Sequence, residues 1–474
     1  MKLIYRPGDK PSTQKTIVFA VQQLLAIMAA TIAVPAIVNL KAGATMSISA
    51  ALFGAGAGTL VYLLFTKFKS PVFLGSSFAF ISPMVAAFSG AATMYLGFLG
   101  FIIGSILAGL VYVALSFTVK FAGIGWINKL MPPVVIGPTV ALIGLSLSSS
   151  AVKNVFSYTK DDMPTAFEMT TNVWLSLICA LVTLFVVVIC STFGKKMAKL
   201  IPFIIGILAG YATALIFTVI GYIAGADALK IIDFEPFRKL VENGVQFETF
   251  LALPEFAFID AFKGFKDLDW SYFATVAVAY VPVAFVVFAE HIADHKNLSS
   301  IIEEDLLEDP GLDKTLLGDG VGSMVGAFFG GCPNTTYGES VGCVAITKNA
   351  SVVTIFVTAL MAIGISFVSP FVAFLSSIPA CVMGGVCITL YGFIAISGLK
   401  MIQKVDFENS ANLFTASAIL IPGIGGFAMK MGKITITNIA CALILGILVN
   451  TTLSLIGKKL NKNREETEEE NSEE

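Results

Sequence analysis

The sequence has few charged residues and few of the side chains that build metal sites. Only 13% of its 474 residues are charged, the net charge is −2, and there are 2 His and 3 Trp. Without a basic patch there is no basis for nucleic-acid binding. The seven Cys are odd in number, lie in or beside apolar runs and lack metal-ligand spacing, so we expect reduced packing residues.

Enzyme motifs are also absent. The sequence contains no HExxH, no GxSxG and no phosphate-binding P-loop, which argues against an intramembrane enzyme and predicts no cofactor. His291 and His295 flank Asp294 at helical spacing, but a closed zinc site needs more ligands than these two His supply. We therefore predict no metal site.

Hydrophobic residues make up 56% of the chain, with 39 Phe. About 20 apolar residues cross a hydrocarbon core of about 30 Å, and runs of that length recur along nearly the whole sequence. The composition predicts an all-α integral membrane protein with fourteen spans. They lie at residues 17–39, 46–65, 71–89, 94–117, 134–149, 172–193, 201–224, 271–291, 314–331, 334–349, 351–375, 379–397, 408–426 and 434–456.

The distribution of Lys and Arg predicts the orientation. Most of the 30 basic residues fall in alternate short loops and in both terminal segments, which the positive-inside rule places in the cytoplasm. We expect a cytoplasmic N-terminus (1–16), whose following apolar run is too long for a signal peptide. The tail (457–474) is expected to be cytoplasmic and disordered. The charged and aromatic segment 225–270 is predicted to be an outer amphipathic segment.

The two sets of seven spans resemble each other. PPVVIGPTVALIG (132–144) is similar to IPACVMGGVCITL (378–390), and LGSSFAFISP (74–83) is similar to PNTTYGES (333–340). An odd number of spans per repeat makes the second copy enter the membrane upside down, which is the inverted-repeat architecture of many secondary transporters.

The third span of each repeat, 71–89 and 334–349, is interrupted by Gly, Ser, Thr or Pro. Non-helical backbone at membrane depth requires protein or a polar cavity to satisfy its N–H and C=O groups. We expect short extended segments in these two broken spans, facing each other and framing a pocket near the midplane. The alternative is that these small residues only allow close helix packing.

Two carboxylates fall at membrane depth. Glu290 ends the eighth span and Glu339 lies in the second broken span, where an acid costs about 2.5–3.5 kcal/mol on insertion scales. Such residues usually face a cavity and mark substrate or ion paths. Burial favours the neutral form of such a carboxyl group, whereas a bound hydrogen-bond donor favours its ionised form. Binding of a ligand and binding of a proton therefore become linked, which is the physical basis of proton symport. Asp319 is either a partner of this pair or the cytoplasmic start of its helix.

The stretches LGSSFAFISP, FAEH, DLLEDPGL, PNTTYGESVGCVAITK and VMGGVCITLYGFIAISG resemble the nucleobase/ascorbate transporter family, in its bacterial uracil and xanthine permease branch. The resemblance covers essentially the whole membrane portion. It implies a core domain of spans 1–4 and 8–11 that moves against a gate domain of spans 5–7 and 12–14. Accordingly, 17–149 holds the core spans and first gate span, 172–224 and 379–456 hold the other gate spans, and 271–375 holds the remaining core spans.

The resemblance also implies a binding site for a nucleobase and H⁺ as the coupling ion. The protein is expected in the plasma membrane, and a homodimer is possible. Carboxylates would hydrogen-bond the polar edge of the base, and apolar and aromatic side chains would form the walls. The residues implied are Glu290 and Glu339 for the edge, Ala30, Phe78 and Tyr391 for the walls, the backbone at Tyr337 and Gly338, and Glu290, Glu339 and Asp294 for proton coupling.

Three positions depart from the family pattern: Gln23 stands where the family usually has His, Asp294 where uracil permeases tend to have His, and Ser340 where Asn is usual. Asp294 resembles the xanthine branch, whereas Glu339 resembles the uracil branch. We favour uracil, because Glu339 would touch the base. A purine permease of the same family is the alternative. An anion transporter is disfavoured because two acidic residues in the pocket would repel an anion, and a channel would leave these acidic residues unexplained. The sequence does not distinguish H⁺ from Na⁺ as the coupling ion.

Overall fold

The fold is built almost wholly from helices. In the computed structural model, nine helices of the described residues are long and apolar enough to cross a membrane, which makes this a multi-pass membrane protein. The structure describes residues 3–473 except 124–125, 127–131, 159–163, 196, 243, 404 and 432–433.

The secondary structure elements are numbered in chain order. The helices are α1 (Thr13–Ala42), α2 (Ile48–Phe65), α3 (Ile81–Ser89), α4 (Met94–Ala122), α5 (Pro133–Ser146), α6 (Ser148–Val155), α7 (Thr171–Phe193), α8 (Met197–Leu200), α9 (Pro202–Ala224), α10 (Glu235–Val241), α11 (Ala257–Ala261), α12 (Trp270–Ile302), α13 (Leu312–Phe329), α14 (Gly338–Thr347), α15 (Val352–Ser366), α16 (Ser369–Ser376), α17 (Ala380–Ile402), α18 (Ser410–Ile424) and α19 (Asn438–Glu473). The strands are β1 (Leu74–Ser76), β2 (Asn334–Thr336), β3 (Met429–Met431) and β4 (Ile434–Ile436).

Every predicted apolar segment overlaps one of these helices, because a helix satisfies its own backbone groups in lipid. The boundaries differ at α12, which continues to Ile302 although the predicted span ends at 291. The helix continues through His291 and His295, whose side chains are buried and hydrogen-bonded within the fold. Polar side chains with internal partners can remain inside a helical bundle.

The tail also differs from its prediction. The helix α19 runs to Glu473, so the backbone is helical over most of the segment 457–474, for which we expected disorder. Lys and Glu dominate this segment, and both are good helix formers when a helix already precedes them.

The helices form two packing groups. We call α1–α4 and α12–α16 the core group, in which α13 packs on α2 and α4 and α1 packs on α15. We call α5–α9 and α17–α19 the gate group, in which α17 packs on α5, α6 and α7. The division into core and gate spans that the family resemblance implies stays a prediction, and we name the two packing groups after it.

The two broken spans meet inside the core group. β1 and β2 pair antiparallel, with Gly75 opposite Thr335 and Ser76 opposite Asn334. Both strands are fully buried, so the pairing satisfies backbone groups that lipid could not. The expected extended segments therefore exist and face each other.

The segment 225–270 connects the two groups. Its start is attached to the gate group, where the backbone N–H groups of Ile231 and Ile232 donate to Thr218 Oγ1, both at 3.0 Å. Its later part is attached to the core group, where Ala252 N–H donates to the Phe367 carbonyl at 3.0 Å. It carries exposed apolar side chains, of which Phe247 is 71% exposed, and its placement as an outer amphipathic segment stays a prediction.

Close packing of α2 on α13 depends on glycine. Gly54 and Gly58 on α2 face Gly322 and Gly326 on α13, a GxxxG spacing on both helices that lets two backbones approach. A Cβ at Gly58 would lie 2.6 Å from the Gly322 carbonyl oxygen, which is backbone and cannot move aside alone.

We therefore predict that Gly58→Ala lowers the free energy of unfolding by about 1–3 kcal/mol, because overpacking forces the two helices apart. Gly364→Ala is the matched control, since Gly364 also lies in a helix but a Cβ there meets nothing within 4 Å. Thermal unfolding in detergent micelles measures both. Equal stability of the two variants would contradict the packing argument.

Candidate functional site

A cavity of about 500 Å³ lies between the core group and the gate group. Core residues supply its polar wall and gate residues supply most of its apolar wall. The core residues are Ala26, Ser76, Ser77, Phe78, Ala79, Glu290, Ala293, Asp294, Thr335, Thr336, Tyr337, Gly338, Glu339, Gly342, Cys343 and Ile346, and the gate residues are Val140, Ile143, Ser191, Lys199, Pro202, Phe203, Leu390, Phe393, Ile394, Ser397 and Met401.

Three carboxylates line this cavity. Glu290 and Asp294 lie one turn apart on α12, so they share a face of that helix, and Glu339 lies in the first turn of α14. All three are half-buried, and the helix N-terminus beside Glu339 favours a negative charge. The sequence prediction that Glu290 and Glu339 face a common cavity agrees with this placement.

Asp294 connects two core elements. The Thr336 hydroxyl of β2 donates to Asp294 Oδ2 at 2.9 Å, which fixes the carboxylate against the strand pair. Its other side faces the cavity. The structure thus places Asp294 in the cavity wall beside Glu290 rather than behind it.

Two of the three departures from the family pattern contact each other. Gln23 on α1 donates through Nε2 to the Ser340 hydroxyl, and the Phe73 backbone N–H donates to the same oxygen at 3.0 Å. Gln23 and Ser340 are 2% and 0% exposed. This buried bridge holds the start of α14, and with it Glu339, against α1 and the residue before β1.

The aromatic walls are only partly as predicted. Phe78 lines the cavity and meets the Tyr391 ring edge-on, with ring centroids 6.0 Å apart. Tyr391 is itself buried and does not line the cavity. Ala30 does not line it either, because its side chain is packed in an apolar cluster with Ile27 and Tyr337. Tyr391 and Ala30 therefore lie behind the cavity surface and not in its wall, where we expected them.

Tyr337 and Gly338 join the second strand to α14. The Tyr337 hydroxyl donates to the Ser76 carbonyl at 2.9 Å, and its ring packs so tightly on Gly75 that no Cβ would fit there. Gly338 is exposed to the cavity. Its backbone is therefore available to a ligand, whereas the Tyr337 side chain serves the fold.

The sequence profile described as "Permease family" matches residues 14–432. The chain belongs to this permease family. It is 38% identical over 451 residues to the uracil permease of Bacillus subtilis (strain 168), covering 94% of each chain. It is also 34% identical over 451 residues to the uracil permease of Escherichia coli (strain K12), covering 95% of this chain and 94% of that one. These matches confirm the family resemblance, and they make the protein a transporter and not an enzyme.

The fold of this permease is similar to that of two solved transporters. The transmembrane domain of a cyanobacterium bicarbonate transporter, BicA, superposes with a TM-score of 0.56 at 15% identity, covering 90% of this chain and 96% of that one. The structure of SLC26A9 superposes with a TM-score of 0.60 at 12% identity, covering 94% of this chain and 67% of that one. At such identities the likeness concerns the fold alone.

A buried polar cluster lies behind the carboxylates of the permease. His291 Nδ1 is 2.7 Å from Asp319 Oδ2, and its Nε2 is 3.0 Å from the Thr315 hydroxyl. His295 Nδ1 donates to the His291 carbonyl at 2.9 Å. Asp319 thus lies within α13 as the partner of His291, so neither of the two sequence interpretations of Asp319 describes it fully. The described residues hold no group of three potential metal ligands.

A second cavity, of about 620 Å³, lies at the opposite end of α1. It reaches Ile32 on α1 and Met383 on α17, while the first cavity reaches Ala26 and Leu390 on the same helices. These residues lie about 9 Å apart along the axis of α1 and about 10.5 Å apart along the axis of α17. A thin partition therefore separates two cavities of the permease.

Three residues on the gate side of the site were not predicted from the sequence. Lys199, Phe203 and Ser397 line the cavity, but nothing in their own segments distinguishes them from lipid-facing or loop residues. Only the packing of the two groups brings them opposite the carboxylates. Ser77 was also not predicted as a site residue, although its hydroxyl is buried without a hydrogen-bond partner among the described residues.

We predict that Ser340→Ala destabilises the permease by about 1–3 kcal/mol, because Gln23 Nε2 and the Phe73 N–H would lose a buried acceptor. Ser397→Ala is the control, because that side chain lines the cavity and is exposed. It should change the free energy of unfolding by no more than about 0.5 kcal/mol. Thermal unfolding measures both, and an unchanged Ser340→Ala protein would show that the bridge is unimportant.

Proposed function

We propose that this permease imports uracil by proton symport. The observation that carries the proposal is the meeting of three carboxylates and Phe78 in one cavity between the two packing groups. The similarity to uracil permeases over 94% of the chain supports uracil as the nucleobase.

Recognition follows from the chemistry of the base. Uracil presents N–H donors and C=O acceptors along its edge and two flat faces. Carboxylates accept from the N–H groups, and the exposed backbone at Gly338 can serve the opposite type of group. Phe78 packs on a ring face, with Tyr391 supporting Phe78 from behind.

Proton coupling uses the same carboxylates. A half-buried acid gains from neutralisation by a proton and from a bound donor, so Glu290, Glu339 and Asp294 respond to both proton and base. Because each proton moved inward gains about 2.3 kcal/mol per 100 mV of membrane potential, coupled binding can drive accumulation.

Alternating access would use the two cavities. In this proposal the fourteen spans form two inverted seven-span repeats, and the core group moves against the gate group so that each cavity opens in turn. The cavity with the carboxylates extends to Lys199 and Met401, at the end where basic residues predict the cytoplasm. The structure would then be inward-facing, with both termini cytoplasmic, in the plasma membrane. A homodimer is compatible with the apolar outer surface of the gate group.

Xanthine is the second candidate substrate. Asp294 supports it, because the carboxylate lines the cavity where uracil permeases tend to have His. An anion, as carried by the fold relatives, is disfavoured, because three acids in the cavity would repel it.

We predict that Glu290→Gln and Glu339→Gln each abolish proton-driven uracil uptake into proteoliposomes while the protein stays folded. The amide keeps the size of the side chain but cannot exchange a proton, so coupling is lost. Labelled uracil and xanthine are compared, each with an imposed proton gradient, with and without sodium.

Glu308→Gln is the matched control, because Glu308 is exposed outside the cavity and should retain uptake. Uptake of neither base by the unmodified protein would overturn the transport proposal. Full accumulation by both cavity variants would show that these two carboxylates do not couple.

A further inference from the structure

One basic residue lines the cavity opposite the carboxylates. Among the described lining residues, Lys199 is the only Lys or Arg. It belongs to α8, a short helix between the gate helices α7 and α9, and its side chain is exposed at the cavity rim. The described residues give it no ion-pair partner.

The acidic groups that Lys199 can meet are those of the cavity. The helices packed against α8 are α1, α7, α9 and α14. Neither α7 nor α9 contains a charged residue, α1 contains only Lys15 and Lys41, and α14 contains only Glu339. Across the cavity, α12 adds Glu290 and Asp294.

The next acidic residue behind these carboxylates is hydrogen-bonded within the fold and lies outside the cavity. Asp319 lies 2.7 Å from the imidazole of His291, in a position where both side chains are almost completely buried. It does not line the cavity. The unpaired negative charge facing Lys199 therefore comes from the three cavity carboxylates.

Contacts of the α8 loop fasten Lys199 in this conformation. Gln22 on α1 donates through Nε2 to the Met197 sulfur at 3.0 Å. Ile201, just after α8, packs against Ala26 and Cys343 of the core group. These contacts join the gate group to the core group, so relative movement of the groups would change the separation of Lys199 from the carboxylates.

We propose that Lys199 is a positioning charge for proton release. In the conformation with this cavity open, it stabilises the ionised carboxylates, so that a proton passes from a carboxyl group to cavity water on this side. When the core group moves, the carboxylates leave the lysine and bind protons more readily. This inference rests on the proposed proton symport and adds the residue that makes release depend on conformation.

The size of the effect follows from the dimensions of the cavity. A space of about 500 Å³ is roughly 10 Å across. At that separation and an effective dielectric constant of about 50, one unit charge changes a proton-release equilibrium about threefold, or about 0.5 pH unit. Salt should weaken the effect, because Lys199 is exposed at the rim.

The test uses right-side-out membrane vesicles that contain the full-length protein. Initial uptake of labelled uracil is measured at fixed external pH while the lumenal pH is varied. For Lys199→Gln, the lumenal pH that gives half-maximal uptake should rise by about 0.5 unit, because proton release then needs a more alkaline lumen. Lys199→Arg should keep the position of the unmodified protein.

Lys195→Gln controls for loss of surface charge, because Lys195 is an exposed lysine of the same loop that does not line the cavity. It should leave the profile in place. Exchange of internal for external uracil at equal pH on both sides shows that each variant is folded and inserted. In the unmodified protein, raising lumenal KCl tenfold should move the profile in the same direction as Lys199→Gln, which tests the charge without any variant.

The outcomes separate the two claims. If the unmodified protein does not accumulate uracil on a proton gradient, the proposed symport is wrong. If it does, but the Lys199→Gln and Lys195→Gln profiles coincide and salt has no effect, only the role of Lys199 is wrong.

Discussion

The structure depends on how two interrupted spans are tolerated inside a membrane protein. β1 and β2 are completely buried, and each satisfies the other's backbone through antiparallel pairing with Gly75 opposite Thr335. That pairing brings the helix that begins at Gly338 next to α12, so Glu339 comes to the same cavity as Glu290 and Asp294. Without the strand pair, neither the carboxylates nor an exposed backbone at Gly338 would face a ligand at membrane depth.

The polar wall of the site is held by contacts within a single packing group. Three sets of contacts lie within the core group. They are the hydrogen bond between Gln23 and Ser340, the hydrogen bond between Thr336 and Asp294, and the close packing of α2 on α13 through their glycines. The gate group offers mainly apolar residues and Lys199. In the proposed alternating access, movement of one packing group against the other would change access to the cavity while the contacts of its polar wall stay in place.

The sequence predicted most of what depends on composition and on local breaks in hydrophobicity. Long apolar runs predicted the helices, the small polar residues at LGSSFAFISP and PNTTYGES predicted the strand pair, and acids in apolar surroundings predicted Glu290 and Glu339 as cavity residues. The sequence-based predictions failed where long-range packing determines the structure. The helix α12 extends past His291, whose imidazole hydrogen-bonds to Asp319. Ala30 and Tyr391 are buried behind the cavity surface. The sequence could not predict the role of Lys199, because that role depends on the three carboxylates across the cavity, which only the packing of the two groups brings near it.

The proposed symport requires one set of carboxylates to respond to both a proton and the nucleobase. The most direct measurement is isothermal titration calorimetry of uracil binding to the purified protein near neutral pH, repeated in two buffers of different ionisation enthalpy. We expect the observed binding enthalpy to differ between the buffers, because a change in carboxylate ionisation on binding exchanges protons with the buffer. Equal enthalpies in both buffers over the range from pH 5 to 8, with uracil bound, would contradict it.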